Sequence, residues 1–410
     1  MKRSVVAVIA IVALAAAVLW FVAPRSRDTS APAFTLDTLP SPAGPDSAAP
    51  QLTTDGGHVV LSWTEPDGSG HAVKFAELTG NQWSQPRAVA SNPRIMSNSA
   101  DVPSVAHFAD DTLAAHWLEH QPGGSAGYDV RLAWSSDGGQ TWSPPATPYA
   151  DRSATEHGFA TLIQPPGGAV GIVWLDGREL AGDDHAVHGA TSLRAASFAL
   201  DGTPRGEVVV DDRVCDCCPT ASAVTNDGIL VAYRDRQRNE VRDISVSRLA
   251  GGQWSAPVTV HDDGWITSAC PVNGPSISAQ DKDVVVAWYT GQGGRGHGFV
   301  AFSNDAGQTF GPPIAIDDDV PVGRVRAVML PDGSAAVSWV GYPGGGSELR
   351  LRRIDRTGGR SAYTVVAGRM GTQHPRLALA GRDVVLAWTD ASGGVSEVKT
   401  ARAVTADARP

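Results

Sequence analysis

The chain has 410 residues, with Lys+Arg 33 against Asp+Glu 43 and a formal net charge of -10. That balance repels phosphate backbones and argues against a nucleic-acid partner. Gly 45 and Pro 28 exceed ordinary usage and imply many tight turns between short strands, an all-β composition.

In chain order the first feature is Lys2-Arg3 followed by an unbroken apolar run over residues 5–23. The run is long enough to span a bilayer as a helix. Residues 1–27 therefore read as an N-terminal membrane anchor, with a cleaved signal processed near residues 31–33 as the alternative. Both readings place the body on the exported side, periplasmic or extracellular, because Lys2 and Arg3 hold the short N-terminal end inside. Residues 28–48, rich in Pro, Ser and Ala, form a linker that includes a strand-like stretch over 33–39.

From residue 49 to residue 410 one unit recurs. An apolar run ends in an aromatic at Trp63, Trp117, Trp174, Tyr233, Trp288, Trp339 and Trp388, at intervals of roughly fifty residues. A shorter apolar segment precedes each run, and a Gly-rich loop, an alternating strand, a polar turn and a last short strand follow it. Four strands per repeat is the blade of a β-propeller, which must stack with its neighbours to bury both faces. The repeats predict a single propeller of seven blades, with six as the alternative. The seventh copy lacks an outer strand, and residues 33–39 can supply it, closing the ring without an exposed edge.

Two turns carry a finer pattern. SSDGGQTW, with Ser135, Asp137, Gly139 and Trp142, and SNDAGQTF, with Ser303, Asp305, Gly307 and Phe310, match S-x-D-x-G-x-x-W/F. In such a turn the Asp carboxylate accepts backbone N–H groups, Gly permits positive φ, and the aromatic fills the space beneath. With these boxes the chain resembles the Asp-box (BNR-repeat) propellers of the sialidase superfamily over roughly residues 50–404. The resemblance implies an anionic sugar or glycan as ligand and an exo-sialidase-like glycoside hydrolase as the activity. It further implies Asp101 as acid and Tyr342 as nucleophile.

Propeller geometry directs the linkers that run into the innermost strands toward one end of the central channel, opposite the boxes. That mouth is the expected binding site. Asp101, His157, Cys217-Cys218, Cys270, Arg326, His374 and Arg376 all fall in these linkers. Arg234, Asp235 and Arg236 lie in a loop on the same face. Arginine suits a carboxylate ligand because its planar fork binds two oxygens at once. All four cysteines, Cys215, Cys217, Cys218 and Cys270, sit in two consecutive linkers. In an exported protein they read first as disulfides, with Cys218–Cys270 the expected pair. The competing reading is a soft-metal site for Cu(I) at Cys215 and Cys217, with His157 or His374 nearby. No cofactor is required otherwise. Two functions follow: a monomeric, glycan-directed propeller, or a non-catalytic envelope scaffold or copper-binding module that uses the same face.

Overall fold

The computed structural model describes residues 28–405 apart from 110, 124–126, 166–168, 181–188, 318–320, 344–345 and 369–373. The expected N-terminal anchor lies outside the described residues, and among those described no helix is long and apolar enough to cross a membrane.

Seven antiparallel sheets form the blades of one propeller. Their innermost strands are Ala48–Asp55, Ser104–Ala109, His157–Ile163, Ala221–Thr225, Ser276–Gln280, Pro321–Met329 and Arg376–Ala380. Hydroxyls tie neighbouring inner strands together. Thr53 Oγ1 donates to the Val105 carbonyl at 2.6 Å, and Ser276 Oγ donates to that of Ala327 at 3.2 Å.

The second strand of each blade is covered on both faces by its neighbours. It therefore reads as a continuous apolar run rather than an alternating one; every residue of Ala169–Asp176 is buried. The recurring aromatic ends this run, and its polar tip needs a partner once buried. In blades 1 to 3 the partner is an acid two residues on, on the same face of the strand. Trp63, Trp117 and Trp174 donate to Glu65, Glu119 and Asp176 at 2.7, 3.0 and 2.7 Å. In blades 4 to 6 it comes from the preceding blade: Tyr233 to Asp211, Trp288 to Asp263 and Trp339 to Asp317, each at 2.7 Å. In blades 4 to 6 the repeat aromatic thus fastens its blade to the one before.

Closure follows the expected route. Phe34–Thr38 pairs antiparallel with Glu397–Thr405, from Phe34 opposite Thr405 to Thr38 opposite Ala401. Blade 2 departs from the four-stranded repeat, having three strands and a single bridge between Leu132 and Ala146. Pro144, Pro145 and Pro148 remove the N–H groups that a fourth strand would donate.

Both box turns close through their aspartates. Asp137 Oδ1 accepts the N–H groups of Gln140 and Thr141 at 3.0 and 2.9 Å, and Thr141 Oγ1 donates to Oδ2 at 2.6 Å. Asp305 repeats this with Gln308 and Thr309. These bonds, led by the Thr141 hydroxyl, hold the Asp137 carboxyl down at about 2. Gly139 has φ of 81° and a Cβ there would strike the Phe75 ring, whereas Gly138, at φ of 67°, faces open space. Gly138→Ala is expected to cost about 1–2 kcal/mol of strain. Gly139→Ala adds about 1–3 kcal/mol of overpacking. Denaturant midpoints of the two variants check the gap, and equal losses would mean that the Phe75 ring yields freely.

Candidate functional site

The mouth is built where the chain enters the inner strands, and the backbone there is unusual. Ala49, Phe159 and Arg324, near the start of the inner strands of blades 1, 3 and 6, and Val272, just before that of blade 5, have positive φ of 56°, 51°, 62° and 50°. Left-handed backbone is costly for side chains of this size and gathers where geometry serves a site. Irregular pairing between Ala48 and Gln51, Gly158 and Thr161, and Gly323 and Arg326 marks three of the four positions.

One side of the mouth is acidic. The Asn98 side chain accepts the N–H groups of Ala100 and Asp101 at 2.9 and 3.3 Å, a turn that sends Asp101 inward to 4% exposure. The Phe159 N–H donates to Asp101 Oδ2 at 2.5 Å. A Cβ on Gly158 would strike the same oxygen and stand 2.7 Å from the Tyr128 ring, so carboxyl, glycine and tyrosine meet at one point. Tyr128 OH lies 3.5 Å from Glu156 Oε2. Burial pushes the Asp101 carboxyl up to about 7, with the Phe159 N–H and Arg376 opposing and Glu156 adding to the rise. Burial, then Asp101 and Glu156, push the Tyr128 hydroxyl above its ordinary value.

The other side is cationic. Arg326 donates through Nε to the Pro375 carbonyl and through Nη1 to that of Pro275, both at 3.3 Å, and Arg376 Nε donates to the Pro50 carbonyl at 3.1 Å. The Arg324 N–H donates to Asn273 Oδ1 at 2.9 Å, and its Nη1 bonds the Val272 carbonyl. Burial, then Arg324, pull Arg326 down to about 10. Arg376 is lowered by burial, then Arg326 and Arg324, with Asp101 alone acting the other way. Burial and the three arginines hold His374 neutral. Arg326 and Arg376 also line a cavity of about 490 Å³ that follows the inner strands past Gln51, Ser104, Thr161 and Ser276.

Of the residues expected at the site, the structure groups Asp101, Arg326, His374 and Arg376 and places others elsewhere. Arg234 is 1% exposed and is a strut, donating to the carbonyls of Arg242, Asn273 and Tyr289 at 2.6 to 3.2 Å. Arg236 pairs with Glu240 at 2.9 Å. Asp235 accepts the Arg236 N–H and the Ser245 hydroxyl. His157 is fully buried in blade 3, stacked on Tyr149 at 4.3 Å with Nε2 3.1 Å from Asp151. Tyr342 is 55% exposed, and Tyr128 is the tyrosine beside Asp101. Arg324, Tyr128 and Glu156 complete the site. Arg324 and Glu156 were legible as linker residues, whereas nothing local marks Tyr128.

The bridge is Cys217–Cys270, with Cα atoms 6.0 Å apart, not the expected Cys218–Cys270. A turn at Asp216 and Cys217 separates the two neighbouring sulfurs. Cys217 meets the exposed Cys270, while Cys218 turns under the loop to 1% exposure and accepts the Asn273 N–H. The two free thiols are Cys215 and Cys218, and the sulfurs of Cys215, Cys217 and Cys218 lie within 4.8 Å of one another.

No family model matches the chain, and no curated relative does. Solved structures match it in fold. Polysaccharide lyase Uly1 aligns over 87% of this chain and 90% of its own at 10% identity, with a TM-score of 0.53. An ulvan lyase of the PL25 polysaccharide lyase family, bound to -[GlcA(1-4)Rha3S]-, aligns over 90% and 94% at 10% identity, with a TM-score of 0.51. An α-L-arabinanase of Penicillium chrysogenum, complexed with arabinobiose, aligns over 93% and 99% at 12% identity, with a TM-score of 0.47. At 10% identity the two lyases are similar to this chain in their fold alone.

Proposed function

We propose that the mouth binds a carboxylated sugar of a glycan and cleaves its glycosidic bond by acid–base chemistry. The observation that carries this is the juxtaposition of the buried Asp101 carboxyl, its pKa raised by burial, with the Arg324, Arg326 and Arg376 cluster. Buried positive charge in excess of its neighbours' negative charge calls for an anion, and guanidinium forks fit a carboxylate. The ulvan lyase holds a glucuronate-containing chain, which is the same ligand class.

In this reading the arginines hold the sugar carboxylate and Asp101 donates a proton to the leaving oxygen. A carboxyl held near 7 keeps that proton in about half of the molecules at neutral pH. Tyr128 is the nucleophile, and Glu156 takes its proton as the bond to the sugar forms. That proton acceptor is needed because a tyrosine with a raised pKa is a weak nucleophile alone. Water, giving its proton to the Asp101 carboxylate, then cleaves the tyrosyl–sugar bond, and Glu156 returns the proton to Tyr128. The roles match those implied by the resemblance to sialidases, with Tyr128 in place of Tyr342.

Calorimetry with sialosides, glucuronate and their uncharged analogues tests the binding half. Carboxylated sugars are expected to bind, uncharged analogues not, and Arg376→Ala to weaken binding at least tenfold, about 1.4 kcal/mol. Equal affinity for charged and uncharged sugars would eliminate the site. Release of reducing ends by the wild type, lost in Asp101→Asn while binding persists, tests the catalytic half. Binding with no turnover on either sugar class would reduce the protein to a glycan-binding module.

A further inference from the structure

The four cysteines form a graded series from surface to core. Cys270 is exposed, Cys217 is half-buried, and Cys215 and Cys218 are each 1% exposed. Cys215 Sγ lies 3.9 Å from Cys217 Sγ and 2.7 Å from Cys218 Sγ. Cys215 and Cys218 thus have Cys-x-x-Cys spacing, and a third sulfur, already oxidised, stands within reach of the first. The loop is held in place: the Cys215 N–H donates to the Arg234 carbonyl at 2.9 Å, and Val214 bridges to Asp235. Arg242 Nη1 is 3.6 Å from Cys215 Sγ, while its other contacts run to Asp216 at 3.4 Å and Glu240 at 3.0 Å.

We infer that these residues form a redox site in which Cys215 is the nucleophile of an internal thiol–disulfide exchange, moving the bridge from Cys217–Cys270 to Cys215–Cys218. The Cys215 thiolate attacks Cys217 Sγ, the Cys217–Cys270 bond breaks, and Cys270 leaves as a thiolate that takes a proton from water. Cys218, having released its own proton, then attacks Cys215 Sγ and expels Cys217 as a thiolate. One disulfide and two thiols are present before and after, so neither oxidant nor reductant is consumed. The charge state of Cys215 supports the direction of attack. Burial opposes its ionisation, but the Cys218 S–H, the Cys217 N–H, Arg234 and Arg242 outweigh burial and bring the thiol to about 7. Cys218 is raised well above its ordinary value by burial and by Cys215, so it is the second to react.

The exchange has a consequence at the mouth. The bridge ties the blade 4 linker to the segment Cys270-Pro-Val-Asn273, and that segment holds both neighbouring arginines. The Asn273 carbonyl accepts Arg234, Asn273 Oδ1 accepts the Arg324 N–H, and the Val272 carbonyl accepts Arg324 Nη1. Moving the bridge to Cys215–Cys218 unties blade 5 and loosens the frame around Arg324. This consequence rests on the anion site proposed above, but the exchange itself does not.

The test uses the full, unreduced chain. Native protein is incubated with N-ethylmaleimide in mildly alkaline buffer, then denatured, digested without reduction and mapped by mass spectrometry. The expected result is progressive labelling of Cys270 and Cys217 with appearance of a Cys215–Cys218 cross-link. Cys215→Ser is expected to keep Cys270 unlabelled. Cys218→Ser is expected to stop at Cys215–Cys217 with Cys270 labelled, a pattern that simple misfolding does not produce. An unlabelled Cys270 in the wild type, or labelling that Cys215→Ser leaves unchanged, overturns the exchange. Two complete disulfides in the starting protein overturn it as well. Four free thiols with one Cu(I) bound per chain overturn it in favour of a metal site. Calorimetry with carboxylated sugars fails or succeeds independently of this labelling, so the two proposals are separately testable.

Discussion

Removing residues 28–40 is expected to cost the folded ring at least about 3–6 kcal/mol, from two buried side chains alone. Phe34 is 2% exposed and packs among Leu349, Leu351, Leu386 and Trp388, while Leu39 is 1% exposed against Leu61, Trp63 and Val385. Full burial of each is worth about 1.5–3 kcal/mol. The five-residue ladder to Glu397–Thr405 goes too, and with it the bonds from Thr364 Oγ1 to the Phe34 carbonyl at 3.0 Å and from Thr400 Oγ1 to that of Leu39 at 2.6 Å. The Asp28–Arg360 pair, at 2.8 Å, is lost as well. The last blade would then end in an open edge, a template for pairing with other chains. Phe34→Ala is the milder companion. It keeps the strand and is expected to cost about 3–5 kcal/mol. Denaturant unfolding of both variants checks the idea, and midpoints unchanged from wild type would show that the ring closes without this strand.

The fold was legible because the physics of a blade repeats. A strand covered on both faces is largely apolar, and in blades 1 to 6 its terminal aromatic finds an acid as acceptor. Trp63-Thr-Glu65, Trp117-Leu-Glu119 and Trp174-Leu-Asp176 show that acceptor in the sequence itself. In blades 4 to 6 the acid arrives from 22 to 25 residues earlier, on the preceding blade, and no local pattern announces it. The mouth was half legible for the same reason. Inner linkers can be counted off the repeat, which located Asp101, Arg326, His374 and Arg376. Counting cannot say which way a side chain turns. Arg234 and Arg376 look alike in sequence, yet Arg234 donates to three backbone carbonyls and Arg376 faces the channel. The cysteine pairing turned on a similar point, since the turn at Asp216 and Cys217 presents Cys217 to Cys270 and leaves Cys218 buried.

Asp101 offers the clearest test of the mouth's electrostatics. Its carboxyl stands at about 7 in the folded protein against an ordinary 3.8. Between those values the folded state holds a proton that the unfolded state has released. The stabilisation of the protonated form is therefore complete below about 3.8 and is lost as pH rises through 7. The asparagine of Asp101→Asn has no proton to lose, so the variant lacks this dependence while its side-chain oxygen still accepts the Phe159 N–H. The unfolding free energy of the wild type is expected to fall relative to the variant by about 1.4 kcal/mol per pH unit across the window, roughly 4 kcal/mol in all. Above neutrality Asp101→Asn should be the more stable protein although it has lost the proposed proton donor. Urea titrations of both proteins at several pH values between 4 and 8, taken as differences so that other titrating groups cancel, measure it. A difference flat with pH would mean that water reaches Asp101 and that its carboxyl is ionised at neutrality, which removes the proton donor on which the proposed chemistry depends.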